Sequence, residues 1–237
     1  MRTLVAILVA ALAATAANAA PINPSFETGI FSGWTTSGAP AVGGTTFGFA
    51  PTNGSFQAVL QTEVGTQSNA ATLATFLGVT TAQLDALTSG GSVTEGSAVK
   101  QTFTQGSGSF TIAFGVVNKG DTNVNSALLF DNLQIAPNGT LSFNWNFLTD
   151  ELDQSATFND YAFVAFNGQL FLLRDKLTGP FNTGPTGFDG NTGTQTFSQL
   201  FPALATPEPI SIAVFGGLIV GGAGIAFRRR MTAKAVA

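Results

Sequence analysis

Short apolar runs alternate with polar positions along most of the chain, and Gly, Thr, Ser and Asn separate the runs. Apolar side chains at every second position from 110 to 116 predict a strand with one buried face. Phe143, Trp145 and Phe147 alternate with asparagines in the same way. Many short strands between turn-forming residues are typical of an all-β sandwich, which is the fold class we expect.

Other segments add detail to the sandwich. Residues 161–166 are apolar on both faces and predict a central strand, and Asn167-Gly168 is a hairpin turn signal into a strand at 169–173. Residues 127–135 predict one more strand. The Gly-, Thr-, Pro- and Asn-rich segment 176–199 has little periodicity, so we expect loops there and no more than one strand.

One short helical insertion interrupts the strands. Ala70 to Leu77 and Ala82 to Leu87 have helical patterns and are separated at Gly78. Thr80 and Gln83 have the spacing of a capping box, in which each residue satisfies a free backbone amide of the other. We therefore expect two short helices.

The N-terminus has the three parts of a secretory signal peptide. Arg2 provides the positive charge, Leu4 to Ala14 the apolar segment, and Ala17-Asn18-Ala19 the small residues of a cleavage site. Cleavage between Ala19 and Ala20 is thus predicted to remove residues 1–19. The β-sandwich ectodomain, 20–202, is expected to be exported.

The C-terminal end contains an uncharged stretch, 210–227, which would span about 27 Å as a helix. It predicts a single transmembrane helix, preceded by a linker at 203–209 and followed by a basic tail at 228–237 that stays on the cytoplasmic side. Two short motifs flank the helix: Pro207, Glu208 and Pro209 before it, and Arg228, Arg229 and Arg230 after it.

This order of Pro-Glu-Pro, glycine-rich apolar helix and arginine cluster resembles the PEP-CTERM sorting signal of Gram-negative bacteria, also called the ice-binding protein C-terminal domain. The resemblance implies that an exosortase-type sorting enzyme recognises the tail and cuts near Pro-Glu-Pro. The helix would then hold the precursor in the inner membrane only transiently, before the protein reaches the cell surface or the extracellular space. A generic tail anchor is the alternative.

Composition narrows the possible functions. All thirteen acidic residues lie between 20 and 209, where there are only four basic residues and the net charge is −9. This balance argues against binding nucleic acid or anionic membranes, and it is compatible with divalent cations and a hydrated polysaccharide matrix. The chain has no His and no Cys, which excludes Ser-His-Asp and Cys-His catalysis and ordinary zinc sites. We therefore expect a protein that is not an enzyme.

The start of the ectodomain, Asn23 to Gly29 followed by Gly33-Trp34, is similar to the opening strand of galactose-binding carbohydrate-binding jelly rolls. The resemblance implies a jelly-roll-like sandwich, a calcium ligand at Glu27, and stacking of Trp34 on a sugar. Alternatively, Glu27 is an exposed turn residue and Trp34 fills the end of the core. In related exported proteins the block resembling 115–132 comes last, whereas here it precedes the block that begins at Trp145.

The densest group of charges in the body consists of Asp150, Glu151, Asp153 and Asp160. Carboxylates in loops beside strand ends are ligands for calcium, so we expect a calcium site that these residues form. The alternative is that they are solvated turn residues. A carboxylate pair, Asp150 or Glu151 with Asp160, could also serve glycoside hydrolysis, but nothing in the sequence fixes their separation.

Two functions remain. The first is a non-catalytic exported protein of the cell surface or extracellular matrix, associated with exopolysaccharide or biofilm. The second is a carbohydrate-binding module with a calcium-stabilised fold.

Overall fold

A computed structural model describes residues 20–105, 108–122, 124–152 and 155–205. These residues form two antiparallel β-sheets that face each other, with two short helices. The all-β sandwich prediction is confirmed. The predicted signal peptide, the Pro-Glu-Pro motif, the apolar segment 210–227 and the arginine tail lie outside the described residues.

The first sheet, sheet A, contains the strands β1 (Thr35–Ser37), β4 (Ser68–Asn69), β5 (Val93–Gln105), β6 (Gly108–Lys119), β9 (Tyr161–Phe166) and β10 (Gln169–Asp175). Their order is β1-β5-β6-β9-β10, with β4 also paired to β5. A long central hairpin joins β5 to β6, with Gln105 opposite Gly108, and β9 pairs with β6 through Val117 opposite Tyr161.

The second sheet, sheet B, contains the strands β2 (Ala41–Gly43), β3 (Gln57–Gln61), β7 (Ser126–Ile135), β8 (Thr140–Thr149), β11 (Asn182–Thr183), β12 (Gly190–Asn191) and β13 (Gln195–Leu200). Their order is β11-β12-β8-β7-β3-β2, with β13 also paired to β8. Where no more than one strand was expected between 176 and 199, the structure has two additional two-residue strands, β11 and β12, because β12 extends the ladder of β8.

Phenylalanine rings fill the space between the sheets. Phe114 of sheet A stacks on Phe130 of sheet B with a centroid distance of 4.0 Å, and it meets Phe143 edge-on at 4.8 Å. Ile112 and Val116 lie on the same face of β6, as the alternation of apolar residues predicted. Burying one such apolar side chain contributes about 1.5–3 kcal/mol, so this core of aromatic and aliphatic side chains is the main attraction between the sheets.

The helical insertion covers the outer face of sheet A. Helix α1 (Ala70–Leu77) ends at Gly78, and helix α2 (Thr81–Asp85) begins at the predicted capping box of Thr80 and Gln83, which is present. Helix α2 is shorter than the sequence pattern indicated, because Ala86 already caps it.

Leu73, Leu77 and Leu84 of the insertion pack against the outward side chains of β5, β6 and β9. The hydroxyl of Tyr161 on β9 donates a hydrogen bond to the carbonyl of Leu84 at 2.7 Å. Strand β9 is therefore buried on both faces, as predicted. The hairpin turn into β10 is also confirmed, with positive φ at Asn167 and Gly168.

The end of the described chain belongs to the packed body. A 3-10 turn at Pro202–Leu204 follows β13, and the side chain of Leu204 is fully buried between the sheets. The sequence pattern had placed Leu204 in the linker. Within the described ranges, no helix has the length and apolar character needed to cross a membrane.

Truncating a buried leucine of the insertion tests whether the helices are part of the cooperative fold. Leu73→Ala should lower the free energy of unfolding by about 2–5 kcal/mol, because Leu73 is fully buried on sheet A. Urea denaturation followed by circular dichroism measures the change. The control is Leu200→Ala at an exposed position of β13, which should change the free energy by less than about 0.5 kcal/mol. Equal effects of the two substitutions would show that the insertion does not stabilise the sheet.

Candidate metal centre

Three carboxylates from separate parts of the chain meet at one end of the sandwich. Asp121, Glu151 and Asp160 each place a carboxylate oxygen within 4.8 Å of the others. Asp121 lies on the connection from β6 to β7, while Glu151 and Asp160 lie on the connection from β8 to β9. Both connections cross between the two sheets, so the centre is at a junction of sheet A with sheet B.

Backbone hydrogen bonds hold these two connections together. The amide of Asp150 donates to the carbonyl of Asn125 at 3.0 Å, which extends the ladder of β7 and β8 by one step. The amide of Asn159 donates to the carbonyl of Lys119, also at 3.0 Å, which extends the ladder of β6 and β9. The positions of the three carboxylates are thus a consequence of strand register.

Glu151 is fully buried, although a glutamate side chain in water is charged at neutral pH. Its Oε2 atom accepts a hydrogen bond of 2.9 Å from the amide of Asp160. Its Oε1 atom has no hydrogen-bond partner among the described residues. The ammonium group of Lys176 is 4.0 Å from Oε2, and it donates instead to the carbonyls of Glu151 and Ser155. One half of this carboxylate is therefore left without a donor.

Asp160 is also fully buried, and it has more partners. Its Oδ1 atom accepts from the amide of Lys119 at 2.8 Å. With its amide group oriented to satisfy its neighbours, Asn118 donates to Oδ2 of Asp160 at 2.6 Å. These bonds fix the carboxylate of Asp160 in place beside Glu151.

The β6–β7 connection contributes further acceptor oxygens. Oδ1 of Asp121 and Oδ1 of Asn125 are both shielded from solvent, and neither has a hydrogen-bond partner within the described part of the chain. The backbone carbonyl of Asp121 accepts from the hydroxyl of Thr94, which holds the connection against β5. Buried acceptors without donors are uncommon, since each costs about 1–3 kcal/mol.

Burial and like charges disturb the ionisation of this group. Desolvation raises the pKa of Asp160 well above its ordinary value, and the neighbouring charges of Glu151 and Asp121 raise it further. Desolvation also raises the pKa of Glu151. The hydrogen bond from Asp160 and the charge of Lys176 lower this pKa, but they offset the effect of burial only in part. Three carboxylates with one lysine nearby carry an excess of negative charge that a proton or a cation would neutralise.

The structure brings together two of the five predicted calcium ligands, Glu151 and Asp160. Asp150 instead lies near Asp189 and Glu63, in a partly exposed position. Desolvation raises the pKa of Asp150, and the negative charges of Asp189 and Glu63 raise it further. The exposed carboxylate of Glu27 accepts hydrogen bonds from the backbone amides of Ser55 and Phe56, and it thereby anchors the chain segment just before β3. Asp153 lies outside the described residues.

Asp121 was not among the predicted ligands, because it is distant in sequence from the 150–160 segment. The available signal was its place directly after Gly120, in a short polar connection that also contains Asn125. Only the pairing of β6 with β9 shows that this connection faces Glu151 and Asp160.

Trp34, the predicted sugar-stacking residue, is only 6% exposed. Its ring packs against Phe26 and Phe114, with centroid distances of 5.5 and 6.0 Å, and its indole N–H donates to the carbonyl of Ile22. This placement matches the alternative in which Trp34 fills the end of the core, and it leaves little ring surface for a sugar.

Comparisons with known proteins give no assignment for this site, since no protein-family model, curated protein or solved structure matches the chain. The geometry of the centre itself is therefore the basis for assigning its chemistry. That geometry offers only oxygen ligands, most of them buried, at a fixed junction between two sheets.

The raised pKa values predict a particular dependence of stability on pH in the presence of a chelator. The folded state holds protons on Asp160 and Glu151 more tightly than the unfolded chain does. The free energy of unfolding should therefore fall as the pH rises from about 4, where unfolded carboxyls ionise, through the higher pKa values of the folded state. Urea denaturation at a series of pH values with EGTA measures this slope.

Asp150 and Glu95 also have raised pKa values, so a variant is needed to isolate the contribution of the centre. The double variant Glu151→Gln, Asp160→Asn should have a clearly shallower slope over the same range. If the double substitution left the pH dependence of the free energy of unfolding unchanged, Glu151 and Asp160 would not be the groups that cause it.

Proposed function

We propose that the chain is a non-catalytic exported protein of the cell surface or extracellular matrix of a Gram-negative bacterium. The observation that best supports the non-catalytic part is the burial of Glu151 and Asp160, which argues against glycoside hydrolysis at this pair because neither side chain is exposed. A glycoside hydrolase needs two carboxylates on either side of a bound sugar. This pair is enclosed by backbone amides and Lys176, so a polysaccharide has no access to it.

Export and sorting rest on the two ends of the sequence. The predicted signal peptide at 1–19 supports passage through the inner membrane. The Pro-Glu-Pro motif, the apolar segment 210–227 and the arginine cluster support recognition by an exosortase-type enzyme. The protein would be held in the inner membrane as a precursor and then released to the surface, where its acidic body is suited to a hydrated exopolysaccharide or biofilm matrix.

A calcium-stabilised carbohydrate-binding module is the second candidate. Hairpins that alternate between the two sheets, β5–β6 in sheet A, β7–β8 in sheet B and β9–β10 in sheet A, support a jelly-roll-like arrangement. The group of Asp121, Glu151 and Asp160 favours the calcium part of this candidate. The burial of Trp34 gives no support to the sugar-binding part.

Deleting residues 206–230 tests the sorting proposal. Without this segment, an exosortase-type enzyme has no signal to recognise, so the protein should lose most of its surface localisation and collect in the periplasm or the medium. Surface labelling and cell fractionation of the native host measure the distribution. Deleting only 231–237 is the control, because it leaves the complete signal and should have no effect. Unchanged surface localisation after the longer deletion would rule out sorting by this tail.

A further inference from the structure

We propose that Asp121, Glu151 and Asp160 bind one Ca²⁺ ion, which links the β6–β7 connection to the β8–β9 connection. The site includes Asp121, which lies some thirty residues before the acidic segment in the sequence. This inference deepens the calcium part of the second candidate function, and it depends neither on sugar binding nor on sorting by the tail.

Carboxylate oxygens without hydrogen-bond partners among the described residues point to a bound cation. Oε1 of the fully buried Glu151 and the shielded Oδ1 of Asp121 accept no hydrogen bond from the described residues. Leaving such oxygens unsatisfied is costly, whereas a cation satisfies several of them together. Oδ1 of Asn125, on the same connection as Asp121, is a neutral oxygen that also has no hydrogen-bond partner among the described residues.

The charge of the group also favours a cation. Three carboxylates converge, and the lysine beside them contributes only a distant ion pair, with 4.0 Å between Nζ of Lys176 and Oε2 of Glu151. Nζ of Lys176 is directed at two backbone carbonyls, which hold it away from the centre of the group. A divalent ion would balance the remaining negative charge of the group.

The ligand type favours calcium. The ligands are all oxygen, and the chain has no His or Cys, so softer metals lack their preferred partners. Carboxylate oxygens that all lie within 4.8 Å of one another are close enough to share one ion. Calcium accepts flexible sets of protein oxygens, whereas magnesium demands near-ideal octahedral geometry and usually keeps several waters, which suits a buried group less well.

The location defines the role of the ion. One connection carries the chain from sheet A to sheet B, and the other returns it from sheet B to sheet A. An ion bound to both would hold the two sheets together at this end of the sandwich. The buried position of Glu151 and Asp160 leaves no room for a substrate, so the ion is structural.

Calcium titration of the full-length chain, purified in a non-ionic detergent and treated with EGTA, tests the site. Isothermal calorimetry should detect one ion per chain. At a free calcium concentration of 100 times Kd, the melting temperature should rise by about 5–10 °C, because an ion that binds only the folded state stabilises it. Magnesium at the same concentration should give a clearly smaller rise.

Two substitutions assign the ion to these residues. Asp121→Asn on the half-buried connection should leave the fold intact and weaken calcium binding at least about tenfold, because one charged ligand is lost. Asp150→Asn is the matched control, since Asp150 faces Asp189 and Glu63, and it should bind calcium like the native chain.

The results separate the alternatives. No calcium-dependent rise in melting temperature and no heat of binding would overturn the proposal, and a shared proton between Glu151 and Asp160 would then explain their burial. Equal loss of binding in Asp150→Asn and in Asp121→Asn would also overturn it, because the ion would then lie elsewhere. Mislocalisation of the tail-deleted protein has no bearing on either outcome.

Discussion

The carboxylate of Glu151 accepts a hydrogen bond from the amide of Asp160, and the rest of this end of the sandwich depends on that contact. It closes the β8–β9 connection on itself at the point where the chain passes from sheet B to sheet A. The same residue, Asp160, receives the amide of Lys119 and so binds the connection to the end of β6. Removing water from these groups is expensive, and the packing of the two sheets has to compensate for it.

That compensation comes from apolar burial on three levels. Between the sheets, the rings of Phe114, Phe130 and Phe143 form a continuous aromatic layer. Outside sheet A, the helical insertion covers β9. Outside sheet B, Phe47 and Phe188 meet edge-on with a centroid distance of 4.9 Å over Leu129 and Leu148. Apolar burial is therefore not confined to the space between the two sheets.

The parts of the fold that depend on local chemistry were predictable from the sequence. The Thr80 and Gln83 capping box, the Asn167-Gly168 turn and the apolar run of β9 each act over a few residues, so the pattern contains them. The burial of Leu204 and the β12 strand depend on where distant segments return to the sandwich. No local pattern contains that information.

In the candidate site, too, local sequence patterns predicted some residues, and strand pairing was needed for the others. A dense acidic segment identified Glu151 and Asp160, but the sequence pattern did not separate them from Asp150, and the jelly-roll resemblance added Glu27. Strand alternation explains the difference for Asp150, since the end of β8 turns successive side chains to opposite sides. Asp121 could be found only from the pairing of β6 with β9.

Tyr161 is the only tyrosine in the chain, and it directly follows Asp160. Its ring is fully buried and its hydroxyl is fixed on the carbonyl of Leu84, so burial also raises its pKa. A tyrosine label introduced through the growth medium would therefore occupy a single position, between the carboxylate centre and the helical insertion. The protein thus carries a built-in spectroscopic reporter in which rearrangement of either neighbour would be visible in one NMR resonance.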